Sequence, residues 1–159
     1  ERVHKRQLEL GVLPKGTALS RHDPDVQDWN NLSADERRLF ARMMEVFAGF
    51  VEHTDHHIGR LINFLERIGQ LDNTLLMLIS DNGASAEGGP TGSVNENKFF
   101  NNVPESLADN LKAIDQLGGP QYFNHYAWGW TFAGNTPSLP SSSILPTFTV
   151  AIGLCALPG

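Results

Sequence analysis

Between Leu39 and Ile68 the apolar residues Leu39, Phe40, Met43, Phe47, Phe50, Val51, Ile58, Leu61, Ile62, Leu65 and Ile68 recur mostly in steps of three and four. That spacing keeps them on one face of an α-helix, nearly ten turns long at about 3.6 residues per turn. Few folds accommodate so long an amphipathic rod. Its start is marked by Ser33-Ala-Asp-Glu36, a capping box in which the hydroxyl and the carboxylate satisfy free amide donors. Its end is marked by Gly69, because glycine takes the left-handed geometry beyond a helix at little cost. After the short connection Gln70-Leu-Asp-Asn73 comes Thr74-Leu-Leu-Met-Leu-Ile-Ser80, whose unbroken apolar run predicts a strand covered on both faces. Helix, short loop and buried strand make half of a βαβ unit, so the expected class is α/β. A second, shorter helix is predicted from Pro104 or Glu105 to Leu117, ended by Gly118-Gly119.

Character changes twice along the chain. Residues 1–32 are polar, broken by Pro14, Gly16 and Pro24, and read as an extended surface segment with Trp29 as its large apolar anchor. Residues 33–137 carry the α/β domain. From Gln116 to Gly159 no Asp, Glu, Lys or Arg occurs, and residues 138–159 read as an uncharged low-complexity tail, not native-like. A net charge of −6 argues against a nucleic-acid surface. The apolar tail segment from Ile144 to Leu157 is interrupted by Pro146 and too short to span a bilayer, so no membrane partner is expected. The single cysteine, Cys155, excludes an internal disulfide framework and a multi-cysteine zinc site. With no export signal visible at Glu1-Arg-Val-His-Lys-Arg6, a cytoplasmic setting is favoured over a periplasmic one.

The chemistry is expected where the strand ends. In open α/β sheets ligands sit beyond the carboxyl ends of strands, and Asp81-Asn82 places a carboxylate and an amide oxygen there. Both are hard donors suited to Ca²⁺, with Mg²⁺ as the alternative. The same Asp-Asn-Gly also fits an ordinary turn. A long Gly-rich polar loop, Ala84 to Asn97, follows, and loops of this length in compact domains are usually functional or disordered.

Other signals are weaker. His53 and His57 share a helix face, but Glu52 precedes the first histidine, which is not the zinc-protease order, so polar flanks of an amphipathic helix are the simpler reading. Gly88-Gly-Pro-Thr-Gly-Ser93 has the glycine content of a phosphate loop without its Lys or its spacing. In Gln121-Tyr-Phe-Asn-His-Tyr-Ala-Trp-Gly-Trp130 clustered aromatics favour a core, while Asn124 and His125 are candidate substrate-facing groups.

Trp29 to Pro137 resembles the interior of a bacterial-type arylsulfatase of the alkaline-phosphatase-like superfamily. The resemblance is carried by Leu32 to Phe50, by Glu52-His-Thr-Asp-His-His-Ile-Gly-Arg-Leu61, and above all by Leu78-Ile-Ser-Asp-Asn-Gly-Ala-Ser-Ala-Glu-Gly-Gly89, with Trp128 to Pro137 extending it. It implies part of an alkaline-phosphatase-like sandwich and hydrolysis of sulfate esters, such as aryl sulfates, by a formylglycine nucleophile with a Ca²⁺ ion neutralising the sulfate oxygens. Asp81 and Asn82 match the Asp-Asn pair that supplies two ligands to that ion, and Asp81 lies in that pattern beside the nucleophile, where it could accept a proton.

Departures from the family pattern are equally concrete. These 159 residues hold no Cys/Ser-x-Pro-x-Arg motif, and Cys155-Ala-Leu-Pro-Gly159 has its proline one place too late and no Arg. The paired acidic ligands expected on a first strand are absent, as is the upstream His segment. After Asn135-Thr-Pro137 a basic stretch is expected, and Ser-Leu-Pro-Ser-Ser-Ser stands there instead, as a shifted reading frame or aberrant splice would produce. The expectation is an arylsulfatase fragment, inactive alone. Two alternatives remain: a phosphodiesterase or phosphonate hydrolase of the same superfamily, and a non-catalytic α/β interaction module.

Overall fold

The computed structural model describes residues 1–80 and 83–137, together with the backbone of a strand at 150–156. In chain order its elements are α1 (Arg2–Glu9), a 3-10 turn (Trp29–Asn31), α2 (Ala34–Arg67), a 3-10 turn (Leu71–Asn73) and β1 (Thr74–Ser80). There follow α3 (Glu96–Phe100), α4 (Leu107–Lys112), a 3-10 turn (Ile114–Gln116), α5 (Trp128–Gly134) and β2 (Val150–Ala156).

The long helix is present and is bounded as the sequence dictates. Glu36 N–H donates to Ser33 Oγ at 3.2 Å, and Ser33 N–H donates to Glu36 Oε2 at 2.7 Å, closing the capping box. These bonds favour the ionised Glu36 carboxylate and hold its pKa below the ordinary value, led by the Ser33 side chain. Gly69 sits at φ +67° just beyond the helix. Ser33→Ala removes one partner of the box and is expected to cost about 1 kcal/mol in urea unfolding. Because the folded Glu36 pKa is depressed, the box contributes fully above the unfolded carboxylate range. Its contribution is lost as pH falls through the lowered value.

Only part of the apolar stripe is covered. Leu39, Phe40 and Met43 are buried in a core with Val94, Ala113, Ile114, Leu117, Tyr126 and Ala127. The N-terminal part of α2 therefore packs against the loop after β1, α4 and the aromatic segment. Arg42 fastens this contact by donating to the carbonyls of Ile114 and Leu117 at 3.3 and 3.2 Å. Further along, Leu65 is buried, but Phe50 and Ile68 are at least half exposed.

The strand differs most from expectation. In place of a strand covered on both faces, β1 pairs antiparallel with β2, in register from Thr74 opposite Ala156 to Ser80 opposite Val150. Leu75, Met77 and Ile79 on one face and Leu78 on the other are all exposed. Among the described residues no helical layer lies over this two-stranded sheet, so an apolar run meant for a covered strand stays in contact with water. The pairing also gives regular structure to part of residues 138–159. Within residues 1–32 the first eight beyond Glu1 form the exposed helix α1 rather than an extended strip. That segment reaches back to the end of α5 through Gln7 Nε2, which donates to Thr136 O, and Ser20 N–H, which donates to Pro137 O. The predicted second helix is split into α4 and the following 3-10 turn, with Gly118 at φ +85° ending it. No described helix is long and apolar enough to cross a membrane.

Candidate functional site

The loop after β1 is held against the aromatic segment at almost every step. Ala84 N–H donates to Asn135 Oδ1 and the Asn135 amide donates back to Ala84 O, at 2.8 and 2.7 Å. Ser85 N–H donates to the Tyr126 hydroxyl, and Thr131 Oγ1 donates to Ser85 O. The Trp128 indole donates to Ala86 O at 2.6 Å, and the Trp130 indole donates to Phe40 O on α2 at 2.9 Å. Trp29 stacks edge-on with Trp130, and Phe47 edge-on with Tyr126. The aromatics are thus chiefly scaffold, and their N–H and O–H ends find backbone partners as buried Trp and Tyr require. Burial pushes the Tyr126 phenol above its ordinary pKa.

Two reciprocal backbone bonds then set the site. Ser93 N–H donates to His125 O at 3.0 Å and His125 N–H donates to Ser93 O at 2.9 Å, while Glu96 N–H donates to Phe123 O. His125 is thereby pinned beside the start of α3, whose N-cap Asn95 accepts from Asn97 N–H. Gly88 makes the other approach feasible: a Cβ there would run into the Tyr126 carbonyl and the His125 Cβ. With glycine at 88, Glu87 Oε2 comes near His125 Nδ1 while Glu96 Oε2 comes near Nε2.

The result is a cluster of two carboxylates and one imidazole. Glu87 Oε2 lies 3.9 Å from His125 Nδ1, and Glu96 Oε2 lies 3.5 Å from His125 Nε2. One ligand atom from each residue falls within 4.8 Å of the other two, the one such group of three metal-competent side chains among the described residues. The Glu87 side chain is only 10% exposed. Burial, reinforced by the negative Glu96, raises its pKa above the ordinary carboxylate value, against the opposing pull of His125 and the Ser85 hydroxyl. His125 Nε2 is shielded from solvent and has no hydrogen-bond partner among the described residues.

The cluster opens into a cavity of about 720 Å³ between the middle of α2 and the aromatic segment, walled by Phe47, Phe50, His53, Tyr122, Phe123 and Asn124. Of the residues expected at a site, His125 and Asn124 both line this cavity. The Asn124 side-chain oxygen also accepts from Gly118 N–H at 3.2 Å, closing the turn after Leu117. Asp81 and Asn82 lie outside the described residues. His53 and His57 meet Nε2 to Nε2 at 3.1 Å on the exposed helix surface, and Arg60 contacts the other ring nitrogen of His57. Desolvation, then the charges of His53, Arg60 and His56, hold His57 below its ordinary value. No carboxylate completes that pair into a donor group among the described residues.

Sequence reading passed over Glu87 and Glu96. They stand in a loop read as polar and Gly-rich, with Glu87 inside the stretch that carries the family resemblance, and neither spacing nor periodicity links them to His125. Asn95, two residues before Asn97 and next to Glu96, was the local clue that a helix starts there.

The sulfatase family model matches residues 14–126 of the chain. An uncharacterized sulfatase of Schizosaccharomyces pombe is 34% identical over 142 residues, covering 87% of this chain and 24% of that protein. An arylsulfatase of Klebsiella aerogenes is 27% identical over 132 residues, covering 83% and 26% respectively. An N-acetylglucosamine-6-O-sulfatase of Bacteroides thetaiotaomicron is 43% identical over a shorter span of 44 residues. Chain and matches together define an α/β protein of alkaline-phosphatase-like ancestry. The chain belongs to the sulfatase family. It spans about a quarter of the length of the first two relatives.

Proposed function

We propose that this chain is part of a sulfuric ester hydrolase of the arylsulfatase type, contributing the metal-site turn Asp81-Asn82 to the cleavage of small sulfate esters. The observation that carries this reading is the family match over residues 14–126, a span that includes Asp81 and Asn82. The donor chemistry fits: Asp and Asn oxygens are the hard ligands that Ca²⁺ takes, with Mg²⁺ as the alternative, whereas an imidazole-containing cluster such as Glu87, Glu96 and His125 is not a Ca²⁺ site. When bound, the ion supplies positive charge against the sulfate oxygens as negative charge develops there.

The chain's own residues have distinct parts in this reading. Asp81 and Asn82 would hold the ion, which would supply charge to the sulfate end, and Asp81 would also accept a proton from the nucleophile. Asn124 and His125, on the wall of the cavity, face the alcohol portion of the ester. The nucleophile is a formylglycine, for which these 159 residues contain no source motif. Two protein donors also fall short of the roughly six to eight oxygens that Ca²⁺ takes. The chain by itself is therefore expected to show no turnover of p-nitrophenyl sulfate, and hydrolysis that vanishes with Asp81→Ala would overturn that inactivity.

Metal binding gives the direct test. Calorimetric titration should detect weak Ca²⁺ binding, of about millimolar Kd, that disappears in Asp81→Ala/Asn82→Ala. Identical heats for the two proteins would refute the assignment of that turn.

A further inference from the structure

We propose that Glu87, Glu96 and His125 form a second cation site, using neither Asp81 nor Asn82 as a ligand and selective for a borderline divalent ion such as Zn²⁺ over Ca²⁺. The spacing is that of ligands around an absent centre rather than of groups bonded to each other. Charge-assisted N–H···O bonds close to about 2.7–2.9 Å. The contacts here are 3.5 Å to His125 Nε2 and 3.9 Å to its Nδ1, and one donor atom from each of the three residues lies within 4.8 Å of the other two. Metal–ligand bonds of about 2.0–2.2 Å instead place neighbouring donors some 3 to 4 Å apart, which small side-chain rotations achieve from the present geometry.

Burial strengthens the inference independently of spacing. A solvent-shielded imidazole nitrogen without a hydrogen-bond partner is costly, and so is a carboxylate with a side chain nine-tenths buried. A bound cation offsets both at once, accepting the Nε2 lone pair and countering two negative charges. The donor set selects the ion: imidazole with carboxylates suits Zn²⁺, Mn²⁺ or Co²⁺, whereas Ca²⁺ takes oxygen ligands throughout. Three protein ligands leave at least one coordination position, which faces the 720 Å³ cavity and is open to water or to an anionic group of a bound molecule. Rigid backbone supports all three ligands: the Ser93–His125 bridge, the Asn95 cap and the close pass at Gly88.

The test uses the full chain carrying His53→Gln and Cys155→Ser, which removes the exposed helical His pair and the thiol as competing ligands. Stripped of metal and titrated with Zn²⁺ against a chromophoric chelator, it should bind one ion, and Co²⁺ should give the intense visible bands of four- or five-coordination. Loss of an outer-sphere partner alone weakens metal binding about 10- to 100-fold, so Glu96→Gln and His125→Asn should each do at least that. A hundredfold excess of Ca²⁺ should not displace the Zn²⁺, and Asp81→Ala/Asn82→Ala should leave Zn²⁺ affinity unchanged even if Ca²⁺ binding is lost.

Glu87→Gln supplies a readout that a purely structural ion pair would not give. It should raise the urea midpoint of the metal-free protein at neutral pH, because it removes a buried charge, while lowering Zn²⁺ affinity. ¹⁵N NMR of the parent protein should show the His125 Nε2 resonance shift on adding Zn²⁺, a result that depends on no variant folding. Unchanged His125 resonances, undiminished binding in Glu96→Gln, displacement by Ca²⁺, or a lowered metal-free midpoint in Glu87→Gln would each overturn the proposal.

Discussion

Gly92→Ala should destabilise the chain by about 2–5 kcal/mol in urea unfolding, for two additive reasons. Gly92 sits at φ +72°, where any residue with a Cβ pays a backbone penalty of about 1–2 kcal/mol. The added methyl also points into the Met43 sulfur and comes within 2.9 Å of the His125 carbonyl oxygen. The sulfur belongs to a fully buried side chain, and the carbonyl is already bonded to Ser93 N–H, so neither gives way easily. Overpacking of this kind costs about 1–3 kcal/mol. Since Ser93, the next residue, is bridged by backbone bonds to His125, Gly92→Ala should also weaken Zn²⁺ binding without touching any ligand. Stability within about 0.5 kcal/mol of the parent would show that the loop is not held in this conformation.

Met43→Ala is the second large effect. Met43 is 0% exposed and lies where α2 meets the Gly-rich loop. Removing its side chain leaves a cavity in the one described core and should cost about 2–5 kcal/mol. By contrast Phe50→Ala, further along the same helix stripe, should cost less than about 1 kcal/mol, because Phe50 is 59% exposed. The two changes at 43 and 92 share a contact and should couple. In the Met43→Ala background the methyl of Gly92→Ala meets no sulfur, so its remaining cost falls toward the backbone penalty. A double-mutant cycle with no coupling would contradict the packing described here.

How legible this protein was in its sequence follows from the range of the forces involved. The long helix, its capping box and its stop glycine depend on residues within one or two turns of each other, and each stands where periodicity and capping put it. The strand at Thr74–Ser80 was legible as an element, but its cover was not. A run of Leu and Ile reports a preference for burial without supplying the layers that bury it. The use of the glycines in 88–93 is hidden in the sequence: two of them let the loop pass close to the backbone at 125 and 126.

Sequence alone determined the helical rod, the apolar strand running into Asp81-Asn82, and the sulfatase ancestry, because periodicity, caps and contiguous motifs are written in adjacent residues. Tertiary structure alone decided that the stripe on α2 is covered only in part, and that donor atoms of Glu87, Glu96 and His125 lie within 4.8 Å of one another at the edge of a cavity. No local rule joins those three. Their meeting depends on the paired backbones at Ser93 and His125 and on the room left by a missing Cβ at Gly88, contacts that form only once distant segments pack together.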